Sequence, residues 1–272
     1  MKNTFARLFA ASALVFSFHA FADEEGPALD PAPVNLQDVE SLQRGAKLFT
    51  NYCLSCHSAQ AMRYNRLTDL GLSVDQIKDN LIFTGAKPGD LMKVGMQPAD
   101  AKVWLGAPPP DLSVIARSRS ADWLYTYLRS FYRDPSRPTG WNNAVFDKVG
   151  MPHVLWQQQG EQVLNVVEGD APAKGAVTRS WQEEETKEGK KVVVTHQLVL
   201  TKAGTQTALV DGKAKTLDFD NTAADLTNYL VWMSEPAQVT RERVGYGVVL
   251  FLLFVLAPLA FFLKKEYWSD VH

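Results

Sequence analysis

The sequence predicts a mainly α fold: a helical domain with a small β insertion, carried on one C-terminal transmembrane helix. Three observations predict it. Apolar residues recur at helical spacing from Leu36 to Tyr52, and again in segments near 73–83, 98–105, 120–128 and 223–234. Residues 160–218 change to strand-forming runs broken by turn residues. Val244 to Leu263 is twenty residues without a charge. At 1.5 Å per residue that is about 30 Å, the thickness of a bilayer's hydrocarbon core.

The N-terminus carries Lys2 and Arg7, an apolar run from Leu8 to Phe18, and Ala20-Phe21-Ala22. This is the pattern of a cleaved secretory signal over residues 1–22, because the run is too short to span a bilayer. An exported domain then occupies residues 23–240. Residues 23–34, rich in Pro, Ala and acid, read as an extended lead-in. Asn35 is placed to cap the first helix, with Asp38 favourable in its first turn. Leu36, Val39, Leu42, Ala46, Phe49 and Tyr52 carry that helix into Cys53.

Short helices follow near 73–83 and 98–105, and Pro108 to Pro110 force an extended loop. Ser120 is placed to cap a helix through Trp123, Leu124, Tyr127 and Leu128. Residues 133–153 hold Pro135, Pro138, Gly140, Gly150 and Pro152 and read as a long loop. Within the insertion, Gln162–Val167 and Lys191–Leu200 favour strand, with turns at Gly204, Gly212 and Lys213. The Glu183-Glu184-Glu185 run reads as a solvated surface. Asn221 or Thr222 caps a last helix from Ala223 to Ser234, stopped by Pro236.

The anchor, residues 241–263, is flanked by Arg241 and Arg243 on one side and Lys264 and Lys265 on the other. Tyr246, Tyr267 and Trp268 sit near its ends, where aromatic belts form. Export of the N-terminal domain leaves the tail, residues 264–272, in the cytoplasm. Pro258 could kink the span, which membrane helices tolerate. With no ionisable residue inside it, ion transport by this chain alone is not expected.

Composition narrows the chemistry. The 272 residues are 46% hydrophobic and 21% charged, with a formal net charge of −2. That excludes a disordered chain and leaves no footprint for nucleic acid. Lys2 and Arg7 fall in the leader, and the anchor and tail carry a net +1, so the exported domain is near −5. Two cysteines exclude a disulfide scaffold and any multi-site Cys-ligated zinc or iron–sulfur protein.

Both cysteines lie in Cys53-Leu54-Ser55-Cys56-His57, the Cys-x-x-Cys-His signature of c-type haem attachment. The spacing has a physical reason. Positions i, i+3 and i+4 share one face of a helical turn, so two thiols can form thioethers while the histidine offers an imidazole nitrogen to the iron. A thioredoxin-like redox motif would need a βαβ pattern that is absent, and a zinc half-site would need a second ligand pair. For a sixth ligand, Met151 in Gly150-Met151-Pro152 has the loop context, with Met92, Met96 and His153 as the other candidates. The ordinary use of any of these methionines is flexible core filling.

At this point the sequence resembles the cytochrome c1 family, the haem subunits of cytochrome bc1 complexes. The resemblance is carried by Cys53-Leu-Ser-Cys-His57-Ser58 with Met62-Arg-Tyr64-Asn-Arg66-Leu, and by Gly106-Ala-Pro-Pro-Pro-Asp-Leu-Ser113 with Arg117-x-Arg119. Gly150-Met151-Pro152, and Trp232-Met-Ser-Glu-Pro236 running into one terminal helix, complete it. It implies a cytochrome c-like helical haem domain with one haem c bound through Cys53 and Cys56. It implies His57 and Met151 as axial ligands and Arg119 beside a haem propionate, with Arg117 as the alternative. Ala107, Pro109 and Pro110 would pack on the haem, and Trp123 would touch it.

The implied activity is one-electron transfer from a Rieske iron–sulfur protein to a cytochrome c acceptor during quinol oxidation, with no bond-breaking site in this chain. The implied partners are cytochrome b, the Rieske protein, the acceptor and the membrane, in a dimeric complex. The implied place is a bacterial inner membrane with the haem domain in the periplasm. The acidic domain would steer a basic acceptor, an effect that salt weakens. The bacterial-type leader and the 160–218 insertion depart from the family's mitochondrial members. A free-standing anchored electron shuttle, or a haem-based sensor with a weakly held sixth position, would share part of this pattern.

Overall fold

A computed structural model of the chain describes residues 27–269 except 170–172, 174, 188–189, 206–207, 211–212 and 216. The expected leader at 1–22 and the expected turn at Gly212 lie outside the described residues.

The first helix, α1 (Val39–Leu48), is capped by Asp38, whose side chain accepts from the Ser41 N–H at 3.0 Å. Asn35 does not cap it. Its backbone N–H and carbonyl are both held by the Asn228 side chain, and its own side chain closes a turn on Gln37. Past Leu48 the helix widens into one π turn, Phe49–Cys53, which delivers Cys53 to the start of the motif. A short strand β1 (Ala59–Arg63) then pairs with β2 (Leu91–Met92).

Helix α2 (Val74–Leu81) begins with a capping box between Ser73 and Gln76. Helix α3 (Pro98–Leu105) has Pro98 in its first turn and stops at Gly106, whose φ of 82° suits a residue without Cβ. Helices α4 (Ile115–Arg119) and α5 (Ala121–Arg129) meet at Ser120, which caps α5 through the Trp123 N–H at 3.2 Å. The long loop expected over 133–153 contains a hairpin, β3 (Phe131–Arg133) with β4 (Trp141–Asn143). Asp134 builds its turn by accepting from Ser136 and Asn142.

After a four-residue helix α6 (Trp156–Gln159) come β5 (Gly160–Glu168), β6 (Ala176–Lys187) and β7 (Lys190–Ala203). They extend the hairpin into one sheet of order β4-β3-β5-β7-β6, so the insertion is welded to the helical domain. A separate hairpin joins β8 (Ala208–Val210) to β9 (Lys213–Lys215), so Lys213 opens a strand rather than forming a turn.

Helix α7 (Leu217–Ser234) starts earlier than Asn221 or Thr222, which lie inside it. Tertiary contacts extend it: Phe219 is fully buried, and Asp220 pairs with Arg129 at 2.6 Å. Helix α7 crosses α1 at Gly45, where any Cβ would collide with the Asp225 carbonyl and the Tyr229 side chain. The lead-in is tied down by Asp30, whose carboxylate lies 2.6 Å from Arg129 and 2.5 Å from Arg179. Burial would raise the Asp30 pKa, but the two guanidiniums hold it below the usual carboxylate value.

The anchor is α8 (Gln238–Phe251), a π turn Leu252–Leu256, and α9 (Ala257–Ser269). Together they form a continuous 32-residue helix, about 48 Å long. Its apolar window has no face buried within the chain. The wide turn precedes Pro258, which has no N–H to donate and whose ring would crowd the Phe254 carbonyl. At the root of the anchor, Glu235 accepts from Arg117 of α4 at 2.8 Å and from Arg241 of α8 at 2.5 Å.

Candidate haem site

The π turn ends at Cys53, and the next turn folds back at once. The Cys56 and His57 N–H groups both donate to the Cys53 carbonyl, at 3.0 and 2.8 Å. This single turn carries Cys53, Cys56 and His57 together. Cys53 is buried, Cys56 is half-buried, and both thiols are free. Burial pushes the Cys53 thiol up to about 12. A redox dithiol needs the opposite shift, so this environment suits a sulfur held in a covalent link better than one that exchanges electrons as a thiolate.

The proline-rich loop is stitched to this turn. The His57 Nδ1 nitrogen lies 2.7 Å from the Pro110 carbonyl oxygen. Asp111 accepts from the Gln60 N–H, Ser113 accepts from the Ala61 N–H, and the Leu112 N–H donates to the Ser58 carbonyl. Burial holds the His57 pKa below its ordinary value, opposed by the Pro110 hydrogen bond and the Asp111 charge. The imidazole is therefore neutral, with Nδ1–H donating and Nε2 left with its lone pair. Ala107 and Pro110 are exposed and Pro109 is half-buried, so the loop bonded to His57 carries an apolar surface.

The same loop reaches Met151 from its other end. A side chain at Gly150 would meet the Leu105 carbonyl at 2.9 Å, so only glycine lets the Met151 loop pack on the end of α3. The Met151 sulfur accepts from the Tyr127 hydroxyl at 3.4 Å. Tyr127 stacks on Trp123, with centroids 4.7 Å apart and planes 11° apart. The Arg119 guanidinium lies over the Trp123 ring at 5.1 Å and the Phe146 ring at 5.7 Å.

The residues singled out in the sequence thus lie along one connected path from Cys53 and His57, through Pro110 and the α3 terminus, to Met151, Trp123 and Arg119. Two of the rival ligands, Met92 and His153, are engaged elsewhere. Met92 is fully buried in β2 opposite Ala59. His153 stacks on Phe131 at 4.8 Å and meets the Trp141 edge, and burial lowers its pKa to about 3. His196 stacks on Trp181 in the insertion sheet. Tyr127, Phe146 and Asp111 were not legible as site residues. Only the Pro110-Asp111-Leu112-Ser113 stretch carried a signal, since an Asp after proline readily caps backbone N–H groups.

A helical domain folded round a Cys-x-x-Cys-His turn, with one helix long and apolar enough to cross a membrane, defines the class of anchored c-type cytochromes. The family model described as "Cytochrome C1 family" matches residues 31–271. The chain belongs to that family, whose members carry a c-type haem.

Cytochrome c1 of Allochromatium vinosum is 45% identical over 248 residues, covering 91% of each chain. A Nitrosomonas europaea protein named "Ammonia monooxygenase gamma subunit" is 46% identical over 259 residues, covering 95% of each. Cytochrome c1 of Rhodospirillum rubrum is 28% identical over 256 residues, covering 86% of this chain and 83% of the relative.

Proposed function

We propose that this chain is the haem subunit of a bacterial bc1 complex, transferring single electrons from the Rieske iron–sulfur protein to a cytochrome c acceptor during quinol oxidation. The observation that carries this reading is the Cys53–His57 turn with its Nδ1–H···O=C bond to Pro110, within a chain of the cytochrome c1 family. When bound, one haem c supplies an Fe(III)/Fe(II) couple.

The residues divide the work. Cys53 and Cys56 hold the haem covalently. His57 would hold the iron through Nε2, in the tautomer that Pro110 selects. Met151 would be the second iron ligand, and a thioether in that role would raise the potential relative to a second nitrogen. Ala107, Pro109 and Pro110 would exclude water from the haem, and Trp123 would pack on it. Arg119 would pair with a propionate. Arg117 is the weaker choice for that role because its guanidinium is held by Glu235. No residue breaks a substrate bond, so this chain's share of the complex's oxidoreductase activity is outer-sphere electron transfer.

The anchor, residues 241–263, packs on cytochrome b. The leader 1–22 is removed, residues 23–240 lie in the periplasm, and residues 264–272 lie in the cytoplasm. Two copies belong to each dimeric complex. The test is a mild-detergent pull-down of the tagged full chain from its own membranes. Haem b and a Rieske signal beside haem c support the reading. Haem c alone moves it to a free-standing anchored shuttle. A copurifying monooxygenase moves it to the assembly named for the Nitrosomonas relative.

A further inference from the structure

Among the described residues, the Tyr229 hydroxyl is buried without a hydrogen-bond partner, and the whole side chain is 0% exposed. A buried phenol left unpaired is destabilising, so the position calls for an acceptor. Its surroundings say which side that acceptor comes from. The ring packs on Phe49 with centroids 5.5 Å apart, and on Trp232 at 5.7 Å. Phe49 and Cys53 are the first and last residues of the same π turn, and the Leu54 N–H closes on the Phe49 carbonyl. Tyr229 therefore stands directly behind the turn that presents the Cys53 sulfur. Burial, with smaller contributions from Cys53 and then Tyr64, pushes its pKa far up, so it stays a neutral donor. Gly45 removes the side chain that would separate α1 from Tyr229, and this close crossing fixes the ring in place.

We infer that the Tyr229 hydroxyl is a positioning donor that points its O–H at the Cys53 edge of the bound haem and raises its reduction potential. The physical basis is the sign of the dipole. The positive end of an O–H in a dry interior favours the state that carries the extra electron. This rests on the haem-attachment reading of Cys53. A hydrogen bond of ordinary net strength shifts the ferrous-to-ferric ratio at fixed potential by about fivefold. At 59 mV per tenfold for one electron, that is about 40 mV.

The test is Tyr229→Phe in the full membrane-bound chain, with Tyr64→Phe alongside. Haem retained on the denatured wild-type chain checks attachment itself, separately from Tyr229. The expected result is a Tyr229→Phe protein with full covalent haem, an unaltered Met–iron absorption band and a potential lowered by about fivefold in that ratio, while Tyr64→Phe moves it less. An unchanged potential in Tyr229→Phe overturns the inference. So does a lowered potential that comes with loss of the Met–iron band, which would mean that the ring only supports packing.

Discussion

The Nδ1 nitrogen of His57 lies 2.7 Å from the carbonyl oxygen of Pro110, a residue 53 positions away in the chain. A backbone carbonyl cannot be removed by changing its own side chain, so the bond depends on how firmly the loop is held. Asp111 does part of the holding, with one oxygen on the Gln60 N–H at 2.8 Å and the other on the Ser113 N–H at 2.9 Å within the loop.

Asp111→Ala should therefore leave the haem attached but free the Pro110 carbonyl. The expected loss is about 1–3 kcal/mol in denaturant unfolding, because two N–H groups lose an ionised acceptor. The imidazole also becomes less basic, so the potential should rise. A stable variant with the wild-type potential would show that Asp111 does not position His57.

Met151 offers a sharper test. If a thioether holds the sixth position, as proposed, the reduced wild-type protein should refuse carbon monoxide. Met151→Leu should bind it readily, and Met151→His should lower the potential by replacing sulfur with nitrogen. Carbon monoxide binding by the wild type would remove Met151 from the ligand set and favour a sensor.

The two arginines of α4 should separate cleanly. Arg119→Gln removes a fixed positive charge whose guanidinium rests on Trp123 and Phe146, and it should lower the potential by about 1 kcal/mol equivalent. Arg117→Gln should leave the potential alone, since that charge is spent on Glu235. Spectroelectrochemical titration of both variants reads the difference.

His153 sets an acid limit. Its pKa falls from an ordinary value near 6.5 to about 3 in the folded chain because it is buried. Its contribution to stability is therefore full above about pH 6.5 and is lost as pH falls toward 3. The slope is about 1.4 kcal/mol per pH unit for one proton. His153→Phe keeps the stack on Phe131 and should flatten that part of the stability–pH curve.

Local chemistry explains what the sequence made legible. Ser120 caps its helix as its side chain dictates, and Cys53, Cys56 and His57 share one turn as their spacing predicts. Where the sequence misled, a distant partner decided. Asn35 was taken from its capping role by Asn228, and α7 was extended by Phe219 and Asp220 reaching the core and Arg129. Strand β6 was hidden because its charged run carries no apolar alternation. There Trp181 and Glu183 turn toward His196, while Glu184 pairs with Lys191 on the exposed face. The π turn at Phe49–Cys53 was illegible because one inserted residue leaves the helical pattern almost unchanged.

The clamp at Glu235 governs how this domain stands on its support. Only three residues separate α7 from α8: Glu235, Pro236 and Ala237. Proline locks one torsion there, and the carboxylate is pinned from both sides. Each exposed ion pair alone contributes little, yet together they tie the root of the anchor to α4 and α8. On the proposed function, donor and acceptor would both approach a haem domain whose root is braced at this one carboxylate.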